Sequence, residues 1–144
     1  MKTRKLDTQL IKNYFYNLKI QDKNNKDTYI QIKYGYTNNN IIKDNTVIYF
    51  KDLNIVSNKQ NIKIKEGYYK KNIIYVNSPI KIEQNYTVIL IKKDIYINVD
   101  KLILVGKDVY IITNNSRSLA NQIVINLKTL DYNLTEVSGT FYKQ

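Results

Sequence analysis

The chain contains no cysteine, no histidine and no tryptophan, and only one proline and four glycines among 144 residues. The missing cysteines remove disulfides, thiolate metal sites and thiol nucleophiles together. The missing histidines leave only carboxylates, or a lysine of lowered pKa, as general bases near neutral pH. The acidic residues, such as Asp22, Asp44, Asp52, Asp94 and Asp108, are scattered singly, so nothing in their spacing proposes a catalytic pair. A glycine-rich phosphate cradle is excluded, because Gly67, Gly106 and Gly139 stand alone and Gly35 sits inside an apolar run, where it is expected to mark a bulge. Long hydrophobic runs are also lacking: the longest, around Val88 to Ile91, is about five residues against the roughly 20 of a spanning helix, so no transmembrane segment is expected. The first residues carry Lys2, Arg4, Lys5, Asp7, Lys12 and Lys19 without an unbroken apolar stretch. No secretory leader is expected, which points to a soluble protein, cytoplasmic or released without a leader.

What the chain has in excess is lysine. Basic residues number 23 against 12 acidic ones, for a formal charge of +11, and Arg4 and Arg117 are the only arginines. Such a surplus calls for an anionic partner. Ile, Lys, Asn and Tyr together exceed half of the chain, and A/T-rich codons favour all of them, so part of the surplus reflects codon bias. Base-edge readout and bidentate phosphate forks favour arginine, whereas diffuse attraction to a charged surface runs on lysine. The expected partners are therefore an anionic lipid surface, a protein or, as the alternative, nucleic acid bound without sequence preference.

The dominant period is two. Ile30, Ile32 and Tyr34 alternate with Gln31 and Lys33; Ile62 and Ile64 alternate with Lys63 and Lys65; Ile80 and Ile82 alternate with Lys81 and Glu83. Such alternation describes half-buried antiparallel strands rich in β-branched residues. Runs apolar on both faces cover 46–50, 72–76, 86–91, 102–105, 109–112 and 122–127. Turn chemistry separates them at Asn24-Asn25, Asn38-Asn39-Asn40, Asn58, Gly67, Asn77-Ser78-Pro79, Lys93-Asp94, Gly106-Lys107-Asp108 and Asn114-Asn115-Ser116. The expected fold is a single all-β domain over residues 1–144, mainly antiparallel: a sandwich, open barrel or curved sheet of roughly ten short strands. At most two short helices are expected, one capped by Asp7 and carrying Leu10, Ile11 and Tyr14, the other starting at Ser116 or Ser118 and running through Leu119, Ala120 and Gln122.

The candidate binding residues lie where lysine and tyrosine interleave. Lys59, Lys63, Lys65, Lys70 and Lys71 surround Tyr68 and Tyr69, and Lys92-Lys93 follow the most apolar run. Lys63 and Lys65 project from one sheet face about 7 Å apart. Tyr68-Tyr69-Lys70-Lys71 is expected to form a loop that joins aromatic rings to ammonium groups. Such a loop suits a lipid headgroup region, where each lysine contributes on the order of 1 kcal/mol, or a single-stranded nucleic acid stacked on tyrosine. Lys92-Lys93 serves equally as a gatekeeper against aggregation of the run before it. Asp94, Asn98 and Asp100 place oxygen ligands at even spacing without the glycine turn or closing glutamate of a calcium loop. They read instead as a hairpin through Asn98-Val99-Asp100-Lys101, and no metal or cofactor is expected.

In length, residue bias and absence of cysteine, and in stretches such as Tyr29-Ile30-Gln31-Ile32-Lys33 and Ser78-Pro79-Ile80-Lys81-Ile82-Glu83, the chain resembles the smallest of the clostridial OrfX proteins, encoded beside botulinum-type neurotoxin genes. The resemblance implies a non-toxic accessory protein without enzymatic activity. It further implies phosphoinositide binding and assembly with a larger OrfX-type partner, both associated with the small members, while larger members have the tubular lipid-binding architecture. It carries no motif that assigns a role to an individual residue. A basic phage or viral nucleic-acid-binding protein is the alternative expectation, and a carbohydrate-active β-sandwich enzyme with two carboxylates in one cleft is the third.

Overall fold

A computed structural model describes residues 13–22, 25–38, 45–57 and 60–142. Its strands are β1 (Asn13–Asp22), β2 (Asn25–Thr37), β3 (Ile48–Ser57), β4 (Gln60–Lys70), β5 (Ile73–Val76), β6 (Ile80–Gln84), β7 (Thr87–Asn98), β8 (Ile103–Ile112), β9 (Ser116–Asn126), β10 (Tyr132–Thr135) and β11 (Ser138–Phe141). They form one 11-stranded antiparallel sheet in the order β1-β2-β3-β4-β5-β7-β8-β9-β10, with β6 beside β7 and β11 beside β9. The sheet is not closed into a barrel, and no helix occurs among the described residues. The helix expected from Ser116 is strand β9, where β-branched and apolar residues pair with β8 on one side and with β10 and β11 on the other. The helix expected after Asp7 lies outside the described residues, except that Tyr14 belongs to β1.

One line crosses the whole sheet. In β3 the buried positions run Ile48, Phe50 and then Leu53, Ile55, so the alternation slips by one, with Lys51 and Asp52 both exposed. Asp52 adopts φ 58°, and Asn17 of β1, Asp94 of β7 and Asp108 of β8 are likewise left-handed. The slip recurs in β4 between Ile64 and Gly67, in β8 between Gly106 and Val109, and in β9 between Ala120 and Ile123. On the same line β5 parts from β6 at Asn77-Ser78-Pro79, and β10 from β11 at Glu136-Val137. Asn and Asp occupy left-handed geometry at lower cost than other side chains, which makes them the residues of such bends. Neighbouring strands bend opposite one another, so the β2–β3, β3–β4 and β8–β9 registers stay constant through the line. Only β7 slips against β8, between Lys93 and Tyr96. The sheet therefore folds along a crease.

Folding at the crease brings opposite ends of the sheet together. Ile20, Tyr29 and Ile30 from the β1–β2 hairpin line the same cavity, of about 280 Å³, as Tyr69, Val99, Leu102 and Lys128 from the far ends of other strands. Between the two halves lies one continuous core dominated by isoleucine; Ile32, Leu53, Ile74, Ile91, Ile97, Leu104, Ile123 and Ile125 are completely buried. Gly35 does not mark a register-shifting bulge, as β2 and β3 pair without slippage on both sides of it. It makes room for the Phe15 ring, and Gly67 likewise lies beneath the Phe50 ring and against the Tyr75 carbonyl. Gly67, Lys93-Asp94 and Gly106-Lys107-Asp108 are not turns but strand positions at or beside the crease. The turns at Asn77-Ser78-Pro79 and Asn114-Asn115 and the hairpin after Asn98, where Lys101 N–H donates to Asn98 Oδ1 at 3.1 Å, occur as expected.

A basic face and a tyrosine row

The outer surface of the sheet divides at the crease into two lattices of different chemistry. On the half carrying the β1–β2 hairpin, the outward positions of β1 to β4 form rows across the strands. Lys19, Gln31, Asn54 and Lys63 lie directly opposite one another in turn. The next row, between registered pairs on either side, brings Lys33 and Lys65 to flank Asp52. Lys33, Lys63, Lys65 and Lys81 border one open groove of about 560 Å³, together with Asp52 and Asn54. The groove exists because β6 pairs only with β7, which leaves the first half of β4 without a ladder partner on that side.

On a sheet, residues two apart along a strand are separated by about 7 Å and neighbouring strands by about 4.8 Å. The lysines on β1 to β4 thus form a two-dimensional array about 14 Å across rather than a single stripe, and Lys81 of β6 extends it across the groove. The counter-charge is small. Glu83 pairs with Lys81 at 3.0 Å, but both side chains are solvent-exposed, and such a pair contributes at most about 1 kcal/mol. Of the aromatic rings beside these lysines, Tyr29 is capped by the Lys19 ammonium 4.2 Å from its centroid, and Tyr34, at the crease and edge-on to Tyr16, has the Lys33 ammonium 5.4 Å from its own.

Beyond the crease the outward positions carry tyrosine. Tyr14, Tyr36, Tyr49, Tyr68, Tyr75 and Tyr96 stand opposite one another in succession across β1, β2, β3, β4, β5 and β7. Tyr36 and Tyr49 stack at 5.0 Å, and Tyr68 and Tyr75 stack at 4.8 Å, while the Tyr14–Tyr36 and Tyr49–Tyr68 pairs are tilted. Stacking at the strand spacing stabilises the edge-to-edge arrangement by about 0.5–1.5 kcal/mol per pair.

The expected site residues are distributed over these surfaces. Lys63 and Lys65 share the basic face as expected. Tyr68 and Tyr69 do not form a loop: with Lys70 they complete β4, and a two-residue turn follows at Lys71-Asn72, both at positive φ. Strand alternation sends Tyr68 into the outer tyrosine row and Tyr69 inward against the core, where its hydroxyl donates to Asn72 Oδ1 at 2.9 Å. Lys70 and Lys71 are exposed at that end of the sheet, across the crease from Lys63. Lys92 sits 4.2 Å over the Tyr110 ring, and Lys93 stands opposite Lys107 at the crease, so neither borders the Lys63–Lys65 groove. Lys59 lies outside the described residues. Asp94 at the crease and Asp100 in the β7–β8 turn are separated by the last four residues of β7, about 13 Å of strand, and they do not converge as ligands.

Sequence reading missed Lys19, Lys33 and Lys81 as members of the basic face, and it missed the tyrosine row. Each alternates with apolar residues in its own strand, but the register that aligns the strands is not written in any one of them. No protein-family model matches the chain, and no curated protein matches it in sequence.

Proposed function

We propose that the protein is a non-enzymatic binding module that docks on anionic lipid headgroups through the face formed by Lys19, Lys33, Lys63, Lys65 and Lys81. The observation that carries this reading is the two-dimensional lysine lattice, whose groove is lined by four lysines and the single carboxylate of Asp52 among the described residues. A planar array of flexible point charges complements a planar charged surface, and each lysine near it adds on the order of 1 kcal/mol. Single-stranded nucleic acid fits this face less well, because stacked bases need open aromatic rings and lysine ammoniums lie over both Tyr29 and Tyr34. The resemblance to the small OrfX proteins favours phosphoinositides as the headgroups.

Flotation with phosphatidylcholine vesicles, with and without a phosphoinositide, at about 0.15 M salt tests the proposal. Wild-type protein is expected to float only with the phosphoinositide vesicles. The Lys33→Gln, Lys63→Gln, Lys65→Gln, Lys81→Gln variant is expected to stay at the bottom while melting like wild type. Flotation of that folded variant, or wild-type binding to oligonucleotide in place of vesicles, rejects the lipid assignment.

A second reading, attachment to a larger protein of the OrfX type, is favoured by a separate observation. Ile112 and Leu119 are exposed on the outer face of neighbouring strands β8 and β9. Co-elution with such a partner that Leu119→Ser abolishes supports this reading, and undiminished co-elution rejects it.

A further inference from the structure

The tyrosine row borders a second groove that the basic face does not use. Two open cavities, of about 440 and 570 Å³, lie along the row and share Asn77 in their lining. Together they follow the tyrosines from Tyr14 on β1 to Tyr96 on β7, a span of about 24 Å at the strand spacing. The opposite wall is the crease, which contributes Lys51 and Glu66 to the first cavity and Asp94, Lys107 and Gln122 to the second.

Three properties of this groove narrow its ligand. Its charges cancel, Lys51 and Lys107 against Glu66 and Asp94, on a chain that carries +11 overall. A polyanion would be drawn to the lysine face and repelled by the two carboxylates here. Second, the inner tyrosines occupy one another's ring faces, so flat bases find no platform between them. What they offer outward is a file of ring edges and hydroxyls. Third, the ends of the row differ from its middle: Tyr14 and Tyr96 are 70% and 43% exposed and each keeps a ring face unstacked. Phenol hydroxyls, amides, ammonium and carboxylate groups supply both donors and acceptors along the groove, without net charge. A chain of hydroxyl-bearing rings with apolar C–H faces meets each of these requirements.

We propose that the groove between the tyrosine row and the crease, from Tyr14 to Tyr96 with Asn77 and Gln122 on its opposite wall, binds an uncharged linear oligosaccharide. The hydroxyls of successive sugars pair with the tyrosine, amide and charged side chains, and the C–H faces of the outer sugars rest on Tyr14 and Tyr96. This site is independent of the lysine face and stands whether or not the protein binds lipid.

Calorimetric titration with cellohexaose, laminarihexaose and chitohexaose tests it, with intrinsic tyrosine emission as a second readout in a chain lacking tryptophan. At least one hexasaccharide is expected to bind, more tightly than its own disaccharide, and to change the tyrosine emission. Tyr96→Ala and Gln122→Ala are each expected to weaken binding about tenfold, the loss of one good contact, whereas Lys63→Gln leaves it unchanged. Gln122→Ala lies on the outer face of β9 and answers the question even if Tyr96→Ala fails to fold. Absence of binding by all three sugars overturns the proposal. So does binding that a folded Gln122→Ala variant and Lys63→Gln affect alike.

Discussion

Gly67 is the position where a single methyl group decides whether two strands can pair. A Cβ there would meet the Tyr75 carbonyl of the neighbouring strand and the Phe50 ring within van der Waals distance. The carbonyl belongs to backbone held in the β4–β5 ladder, where Gly67 stands opposite Val76, so it has no free rotation by which to yield. Gly67→Ala is therefore expected to lose about 1–3 kcal/mol, the usual cost of inserting a methylene into a close-packed site. A urea titration should show a lower midpoint with an unchanged slope; an unchanged midpoint would mean that the Phe50 ring and strand β5 move aside freely. Gly139, on the exposed β11 edge, would also bring a Cβ against backbone, at Arg117. Its strand has only four residues and little buried area, so the same substitution there is expected to fray β11 locally rather than lower the stability of the core.

At the scale of strands, the crease explains both what could be read from the sequence and what could not. Alternation in 30–34, 61–66 and 80–83 identified β2, β4 and β6 correctly, since a half-buried strand leaves its period in its own residues. Asp94 and Asp108 were read as turns because left-handed backbone and self-bonding side chains are shared by turns and by bends inside strands. What distinguishes the two is whether the chain reverses, and that depends on the neighbouring strand, not on the aspartate. Two expected strands at 102–105 and 109–112 are consequently one, β8, bent at Asp108. Strands β1, β10 and β11 escaped notice because they are edge or near-edge strands whose outward positions hold exposed Tyr, Asn and Ser rather than a clean apolar repeat. The basic face was legible only in Lys63 and Lys65, two residues of one strand; Lys19, Lys33 and Lys81 join them through pairing between strands. The bend itself makes a prediction. Asp108 sits at φ 57°, where a β-branched side chain costs about 1–2 kcal/mol and glycine costs little. Asp108→Val is expected to lower the unfolding free energy by that amount, and Asp108→Gly to leave it nearly unchanged. Equal destabilisation by both would show that the carboxylate, and not the backbone geometry, holds the bend.

For the molecule as a whole, the question is whether attraction to an anionic surface comes from net charge or from where the charge is placed. Formal charge is +11 whichever lysines supply it, and long-range attraction at low salt depends chiefly on that sum. Contact attraction at about 0.15 M salt, where the Debye length is about 8 Å, depends on the charges that can approach the surface together. Lys33, Lys63, Lys65 and Lys81 border one groove, whereas Lys70, Lys71, Lys101 and Lys128 are exposed in or next to the turns that follow β4, β7 and β9, across the crease. Neutralising either quartet to glutamine removes the same formal charge. At low ionic strength both variants should lose vesicle affinity to a similar extent. As salt rises past about 0.1 M, the variant of the turn lysines should retain near wild-type binding while the variant of the basic face loses it, because screening leaves only the groups within about one Debye length of the lipid. Parallel loss by both quartets at every salt concentration would mean that the lysines act by their number, and that the lattice on β1 to β4 has no privileged part in binding.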